Sequence, residues 1–184
     1  MIPVGAKPAR RRYGPRKSTA QLALVAESTG GYEEDERYTQ AVTLAVCRRL
    51  AGVDAYDLDV AACAEAHCAS TWCSRENSGL EQEWFGNVWC NPPYSDIRPW
   101  IERAWQQMTD GSCVTVSMLL PSSRCEQVWW QQCVEPWRDR EPRDGVRLTS
   151  HFLRARHAFG MPGMRVTRRG RPPFGLVLLV WRRA

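Results

Sequence analysis

The sequence predicts an α/β domain whose sheet has mostly parallel strands. Short apolar runs of strand length alternate with segments of helical periodicity, and two further strands close the chain. With 184 residues, 43% of them hydrophobic and 24% charged, the composition is that of a globular protein with one core. In sheets of this class, ligands bind at the carboxyl ends of the strands.

The first predicted elements are a helix and a short strand. Apolar residues at helical spacing predict a helix that Gly52 ends: Ala41, Val42, Leu44, Ala45, Val46 and Leu50. The run YDLDVAA at residues 56–62 predicts a buried strand because apolar and β-type residues lie between turn-formers. Residues 63–86 are predicted to be irregular.

Five more elements are predicted in the second half of the chain. Residues 87–90 and 113–120 predict strands, and a helix is expected from about Pro99, a residue favoured in the first turn, to Gly111. Ser123 and Glu126 have the spacing of a capping box, which predicts a helix that ends before Pro136. Residues 145–152 and 174–181 predict the last two strands.

The amino-terminal region differs in composition from the rest. Residues 1–36 are interpreted as a flexible basic arm that ends in an acidic patch at residues 33–36, and residues 37–184 as the folded domain. The chain shows neither a signal peptide nor an apolar run of about 20 residues that would cross a bilayer. We therefore expect a soluble protein of the cytoplasm.

Arginine dominates the carboxyl-terminal charge. After Asp144 the chain has no acidic residue, whereas nine arginines follow. A stretch of one sign within a folded region indicates a polyanionic partner. Four arginines lie between the last two predicted strands and are expected to contact nucleic acid: Arg165, Arg168, Arg169 and Arg171.

Eight cysteines are expected to be reduced, since no export signal is evident. Cys63, Cys68 and Cys73, with His67 among them, offer zinc-ligand chemistry, but their spacing is not that of a paired Cys-x-x-Cys site. Partly buried thiols are the preferred interpretation, and no metal is expected.

The sequence Asn91-Pro92-Pro93-Tyr94 lies between a predicted strand and a predicted helix. The amine of adenine is a poor nucleophile because its lone pair is delocalised into the ring. Two acceptors can localise that pair on nitrogen: the Asn91 side-chain oxygen and the Pro92 carbonyl, held by the rigid prolines. Tyr94 would stack on a base flipped out of the duplex. The alternative is an ordinary proline turn.

Two carboxylates in residues 56–62 allow two interpretations. Asp57 and Asp59 would share one face of a strand, which is costly unless a ligand uses them. In the functional interpretation, Asp59 and the small residues Ala61 and Ala62 hold S-adenosylmethionine at the strand end. In the structural one, Asp57 lies outside the strand and Asp59 caps the following turn.

The chain resembles the phage-type DNA N6-adenine methyltransferases from about Arg37 to Trp181. Seven blocks carry the resemblance, namely Arg37-Tyr38-Thr39, YDLDVAA, LEQEW, VWCNPPYS, MLLPSSR, RHAFG and PPFGLVLLVW. The resemblance implies a compact class I, Rossmann-like methyltransferase fold, S-adenosylmethionine as methyl donor and adenine in double-stranded DNA as acceptor, in a bacterial host if the chain is phage-encoded. Residues Asn91, Pro92, Pro93 and Tyr94 resemble the catalytic loop, while Tyr38, Thr39, Asp59, Ala61 and Ala62 resemble cofactor-binding positions. Asp57, in the same YDLDVAA block, is a further candidate for cofactor binding.

Other functions use similar residues. The same NPPY loop occurs in enzymes that methylate RNA or protein glutamine, and a DNA-binding module without catalysis is a further alternative. Glu76 and Glu81 are the candidates for contact with the cofactor's ribose. Target sequence, strand preference and oligomeric state are not encoded in recognisable motifs.

Overall fold

A computed structural model describes residues 38–160 and 172–184. It contains a six-stranded sheet, a separate two-stranded ribbon and helices on both faces of the sheet. In chain order the elements are β1 (Tyr38–Thr39), α1 (Ala41–Ala51), β2 (Leu58–Asp59), β3 (Thr71–Trp72), β4 (Phe85–Cys90), α2 (Arg98–Asp110), β5 (Ser112–Pro121), a 3-10 turn (Ser122–Arg124), α3 (Val128–Cys133), β6 (Val146–Phe152), β7 (Phe159–Gly160) and β8 (Leu176–Arg183).

The sheet has the order β3-β2-β4-β5-β8-β6. The pairs β3–β2, β2–β4 and β4–β5 are parallel, and β8 lies antiparallel between β5 and β6. The chain steps from β2 outward to β3 and then returns to the other side of β2 to form β4. This reversal of strand order lies between β2 and β4, where an open α/β sheet offers a crevice for ligands. The predicted mostly parallel α/β sheet is confirmed in this mixed sheet, which is compatible with a Rossmann-like fold.

Strand β8 shows how the sheet is buried on both faces. Val177, Leu179 and Trp181 pack in the core on one face with α2, whereas Leu176, Leu178 and Val180 pack on the other face with α1. The continuous apolar run LVLLVW therefore fills two cores by the two-residue period of a strand.

Helix α1 ends as the sequence predicts, with Gly52 at φ 57° in the left-handed region. Its buried face differs from the predicted one. Thr43, Cys47 and Ala51, spaced four residues apart, are buried, whereas Val42 is 66% exposed. This helix carries apolar residues on all of its sides, so side-chain type alone could not predict which face is buried.

Several predicted boundaries were wrong. The strand expected at residues 56–62 spans only Leu58–Asp59, and a second short strand, Thr71–Trp72, lies in the region expected to be irregular. The Ser123–Glu126 capping box does not form. Gln127 instead precedes α3, without a side-chain cap, and Ser123 belongs to the 3-10 turn. The ribbon of β1 and β7 was not predicted.

Two arginines at the end of β8 lie against the carboxyl-terminal ends of helices α1 and α2. The Arg182 guanidinium lies against Gly52, where a Cβ would come within 3.0 Å of Nη2. Arg183 donates from Nη2 to the Gly111 carbonyl over 2.7 Å. Cations near carboxyl-terminal helix carbonyls are stabilising, so these two members of the arginine-rich region have structural contacts.

Candidate active site

Two parallel strands bring the predicted catalytic and cofactor segments together. Asp59 of β2 is paired with Trp89 of β4, and the Val60 amide donates to the Trp89 carbonyl over 3.0 Å. Ala61 and Asn91 lie just beyond the carboxyl ends of these two strands. Both segments therefore lie at the reversal of strand order between β2 and β4.

The loop after β4 holds its asparagine through its own tyrosine. The Tyr94 hydroxyl donates to Asn91 Oδ1 over 3.0 Å. The Asp96 amide donates to the Pro93 carbonyl over 3.3 Å, which closes a turn before α2. Pro92 is buried, and Asn91 is half-buried. The two prolines restrict the backbone directly after this fixed side-chain acceptor.

The Tyr94 ring lies between two phenylalanines from distant parts of the chain. Its centroid is 6.2 Å from that of Phe159 and 6.0 Å from that of Phe174, both in edge-on geometry. Arg124 Nη1 donates to the Tyr94 carbonyl over 2.6 Å. Residues from the turn after β5, from β7 and from the segment before β8 thus fix the loop. Sequence reasoning assigned no role to Arg124, Phe159 or Phe174, although each lies in one of the family-like blocks.

Asp59 is buried and uses both carboxylate oxygens within the fold. Oδ2 accepts from the Cys68 amide over 3.1 Å, and Oδ1 accepts from the Ala61 amide over 3.4 Å. Burial raises the pKa of this carboxyl, while these hydrogen bonds oppose the rise. Asp59 therefore fixes the backbone that follows β2. Ala61 and Ala62 are half-buried at this strand end.

A glycine allows a neighbouring segment to reach this strand end. A Cβ on Gly79 would lie 2.2 Å from the Val60 carbonyl oxygen, closer than real Cβ contacts. The Gly79 carbonyl in turn accepts from Trp84 Nε1 over 2.7 Å. The segment that contains Gly79 can therefore approach the backbone of β2 closely.

Asp57 lies at the opposite end of β2 from Asn91. It is exposed, and its Oδ2 accepts from the Asn87 amide over 2.7 Å. This contact bridges an irregularity of β4, where Gly86 adopts φ 61° and the register shifts before Asn87. The structure thus separates Asp57 from Asp59, and of the two only Asp59 lies at the same end of the strands as the predicted catalytic loop.

The Tyr38-Thr39 segment is brought toward the loop by the ribbon. Tyr38 pairs with Gly160 and Thr39 with Phe159, which also contacts the Tyr94 ring. Thr39 Oγ1 is buried and has no hydrogen-bond partner within residues 38–160 and 172–184. A buried hydroxyl without a partner is costly, so this atom fits a polar ligand group.

A histidine ties the ribbon to helix α1. His157 Nδ1 lies 2.9 Å from Thr43 Oγ1, and Nε2 lies 3.1 Å from the Arg154 carbonyl. Because a carbonyl can only accept, Nε2 donates to it, and Nδ1 is paired with the threonine hydroxyl. His157 therefore has a structural contact on each ring nitrogen.

The remaining predicted positions fall outside this cluster or outside the described residues. Glu76 and Glu81 are exposed, and Glu76 accepts from its neighbour Ser74. All eight cysteines are free, and the described part of the chain contains no group of three His, Cys, Asp or Glu residues able to hold a metal. The predicted nucleic-acid contacts Arg165, Arg168, Arg169 and Arg171, and the basic arm, lie outside the described residues.

Among the described residues, no helix has the length and apolar character required to cross a membrane.

Comparison with known proteins gives two matches. The DNA N-6-adenine-methyltransferase (Dam) family profile matches residues 37–140, just over half of the chain and inclusive of the loop after β4. A DNA N-6-adenine-methyltransferase of Escherichia phage T1 is 38% identical over 69 residues, which cover 36% of this chain. The matched region spans only 28% of that relative's length. The family indicated by the sequence blocks is thereby confirmed, and the chain belongs to the DNA N-6-adenine-methyltransferase (Dam) family.

Proposed function

We propose that this protein transfers a methyl group from S-adenosylmethionine to the exocyclic amine of an adenine flipped out of double-stranded DNA. One observation carries the proposal, namely the Asn91–Tyr94 loop at the carboxyl end of β4, beside β2, where the strand order reverses. Membership of the family supports the same reaction.

The loop supplies acceptors for both hydrogens of an amine. Asn91 Oδ1 and the Pro92 carbonyl are both presented by a backbone that the prolines restrict. When the amine donates to both, its nitrogen lone pair leaves conjugation with the ring and can attack a methyl carbon. Acceptors fixed in advance need no reorganisation at the moment of reaction, which is why such groups act mainly on the transition state.

The residues at the end of β2 and in β1 fit a cofactor that carries a methionine group. The Thr39 hydroxyl is buried without a partner among the described residues, and a ligand's polar end would satisfy it. Ala61 and Ala62 present small side chains where the ligand crevice is expected. When bound, S-adenosylmethionine supplies an electrophilic methyl carbon attached to a sulfonium, and that bond breaks as the new N–C bond forms. A compact class I methyltransferase fold is the arrangement we propose for this sheet.

The target base needs a surface against which to stack. Tyr94 is half-buried, and its ring is braced edge-on by Phe159 and Phe174. A braced aromatic ring loses little conformational freedom when a base stacks on it. Base–aromatic stacking contributes about 1–3 kcal/mol per base. We assign this role to the Tyr94 ring.

The methylated amine is cationic immediately after transfer and acidic enough to release its proton to water. A dedicated base is therefore unnecessary. His157 uses both ring nitrogens in structural contacts, and His67 Nδ1 lies 2.9 Å from the Ala69 carbonyl. Both imidazoles therefore make structural contacts, and the proposed reaction uses neither of them as a base.

The test uses plasmid DNA from a bacterial host that lacks adenine methylation. Expression of the protein should introduce N6-methyladenine at defined sites, detectable by direct sequencing of the modified DNA. The control is the Asn91→Ala variant at equal expression. DNA binding without modified adenine would favour the silent binding module, and modification of RNA or protein glutamine alone would favour the other NPPY enzymes.

A further inference from the structure

We propose that Arg124 binds a DNA backbone phosphate beside the flipped adenine while it holds the catalytic loop in place. This inference rests on the proposed function and adds a residue to it. Arg124 ends the 3-10 turn that follows β5, and β5 is the parallel neighbour of β4. Its side chain therefore comes from the same carboxyl edge of the sheet as the loop.

The first observation is the contact with the loop. Arg124 Nη1 donates to the Tyr94 carbonyl over 2.6 Å. Hydrogen bonds from a charged donor are stronger than neutral ones, and the planar guanidinium fixes their direction. The same residue, Tyr94, donates its hydroxyl to Asn91 Oδ1. Arg124 is thus linked through one residue to the acceptor of the target amine.

The second observation concerns the charge of Arg124. It is half-buried, and within the described residues the Tyr94 carbonyl is its one hydrogen-bond acceptor and no carboxylate forms an ion pair with it. By contrast, Arg98 and Arg138 have carboxylate partners within 2.7 and 2.8 Å. A guanidinium has five N–H donors, so Arg124 retains donors for a second acceptor.

The turn that carries Arg124 is itself held firmly. The Ser122 amide donates to the Gly175 carbonyl over 3.0 Å, and a Cβ on Gly175 would come 2.9 Å from Ser122 Oγ. Phe174, the neighbour of Gly175, packs on the Tyr94 ring. The turn, the loop and the segment before β8 are therefore in mutual contact around the proposed base position.

A phosphate is the acceptor that these features favour. A flipped nucleotide keeps its flanking phosphates close to the pocket that receives its base. Arginine matches phosphate geometry through paired N–H groups. One guanidinium that bonds both the phosphate and the Tyr94 carbonyl would couple DNA binding to the position of the catalytic loop.

The test compares Arg124→Gln and Arg124→Lys with wild type, by DNA affinity at several salt concentrations and by kcat on unmethylated plasmid DNA. Loss of one phosphate contact should reduce the slope of log K against log salt by about 0.9. For Arg124→Gln we expect that reduction together with a loss of roughly tenfold or more in kcat. For Arg124→Lys we expect a near-normal slope, because the charge remains, with kcat still lowered because an ammonium lacks the planar fork.

The matched control is Arg49→Gln, which removes the same charge from an exposed residue in the last turn of α1, outside the acid-free stretch that follows Asp144. It should leave kcat and the salt slope unchanged. A normal slope or normal kcat for Arg124→Gln, full kcat for Arg124→Lys, or an equal slope change in the control would each overturn the proposal. Should Arg124→Gln fail to fold, the lysine variant decides by its kcat. If wild type leaves adenine unmodified, the proposed function fails instead, so the two failures are distinguishable.

Discussion

The Tyr94 hydroxyl donates a hydrogen bond to Asn91 Oδ1 over 3.0 Å. This contact turns the amide oxygen of Asn91, rather than its nitrogen, toward the tyrosine hydroxyl. In the proposed reaction the same oxygen accepts a hydrogen of the target amine, and an oxygen can accept two hydrogen bonds. Tyr94 therefore has a positioning role through its hydroxyl that is separate from stacking through its ring.

Substitution Tyr94→Phe separates these two roles. The ring and its packing against Phe159 and Phe174 remain, but the hydroxyl that orients Asn91 is lost. With a net value of about 1 kcal/mol for such a hydrogen bond, we expect kcat to fall roughly fivefold, with KM for DNA nearly unchanged. Steady-state kinetics on unmethylated DNA would measure both.

The companion variant Tyr94→Ala removes the ring as well. It should weaken capture of the flipped base by about 1–3 kcal/mol, which raises KM for DNA. If Tyr94→Phe retains full turnover, the hydroxyl does not orient Asn91 for catalysis.

Thr39→Val tests the proposed cofactor contact. The Thr39 hydroxyl is buried without a partner among the described residues. Its removal should leave the melting temperature of the free protein unchanged or raise it, since an unsatisfied buried hydroxyl is costly. We expect the affinity for S-adenosylmethionine to fall by roughly three- to tenfold, the loss of one hydrogen bond. Calorimetric titration and thermal melting give the two readouts.

The control is Thr43→Val. Thr43 is also buried, but its hydroxyl is bonded to His157 Nδ1 at 2.9 Å. This variant should lower the melting temperature and leave cofactor affinity unaltered. A Thr39→Val protein that loses stability but binds the cofactor normally would show that the Thr39 hydroxyl is structural.

Gly86→Ala tests the irregularity of β4, where the Asn87 amide donates to the carboxylate of Asp57, the residue before β2. Gly86 has φ 61°, and a Cβ there would lie 2.4 Å from Asp57 Oδ2. The substitution combines backbone strain with displacement of the carboxylate that accepts from the Asn87 amide. We expect a loss of about 3 kcal/mol in the free energy of unfolding, measured by urea denaturation.

Gly145→Ala is the matched control for that variant. Gly145 has φ 73°, but a Cβ there would meet nothing within 4 Å. Only backbone strain of about 1–2 kcal/mol should result. Equal losses for the two variants would show that the Asp57 contact adds nothing to the stability of β4.

Two helices and the longest strand could be predicted from local patterns. The helix at Ala41–Ala51, the helix at Arg98–Asp110 and the strand at Ser112–Pro121 have strong periodicity or clear end signals such as Gly52 and Pro99. Of the two-residue strands, only Leu58–Asp59 was expected, within longer bounds. The others could not be predicted, because partners distant in sequence define them: Tyr38–Thr39, Thr71–Trp72 and Phe159–Gly160. Thr39, for example, is a strand residue through its pairing with Phe159.

The sequence singles out only part of the candidate site, because the rest depends on contacts between residues distant in sequence. The loop at Asn91 and the strand end at Asp59 stand out because their residue types suit ligand chemistry at strand ends. Asp57 has the same chemistry in sequence, but the register of β2 on β4 places it beside Asn87. Arg124 carries no local signal, since only the folded chain brings it to the Tyr94 carbonyl.

The central claim is that Asn91 Oδ1 activates the amine of adenine, and the Asn91→Ala variant tests it most directly. The measurement is the rate of N6-methyladenine formation in unmethylated plasmid DNA, with binding of S-adenosylmethionine measured on the same preparation. We expect the wild-type protein to form N6-methyladenine and the variant to bind the cofactor normally while its rate falls by roughly a hundredfold or more. A variant that methylates adenine at the wild-type rate would contradict the account.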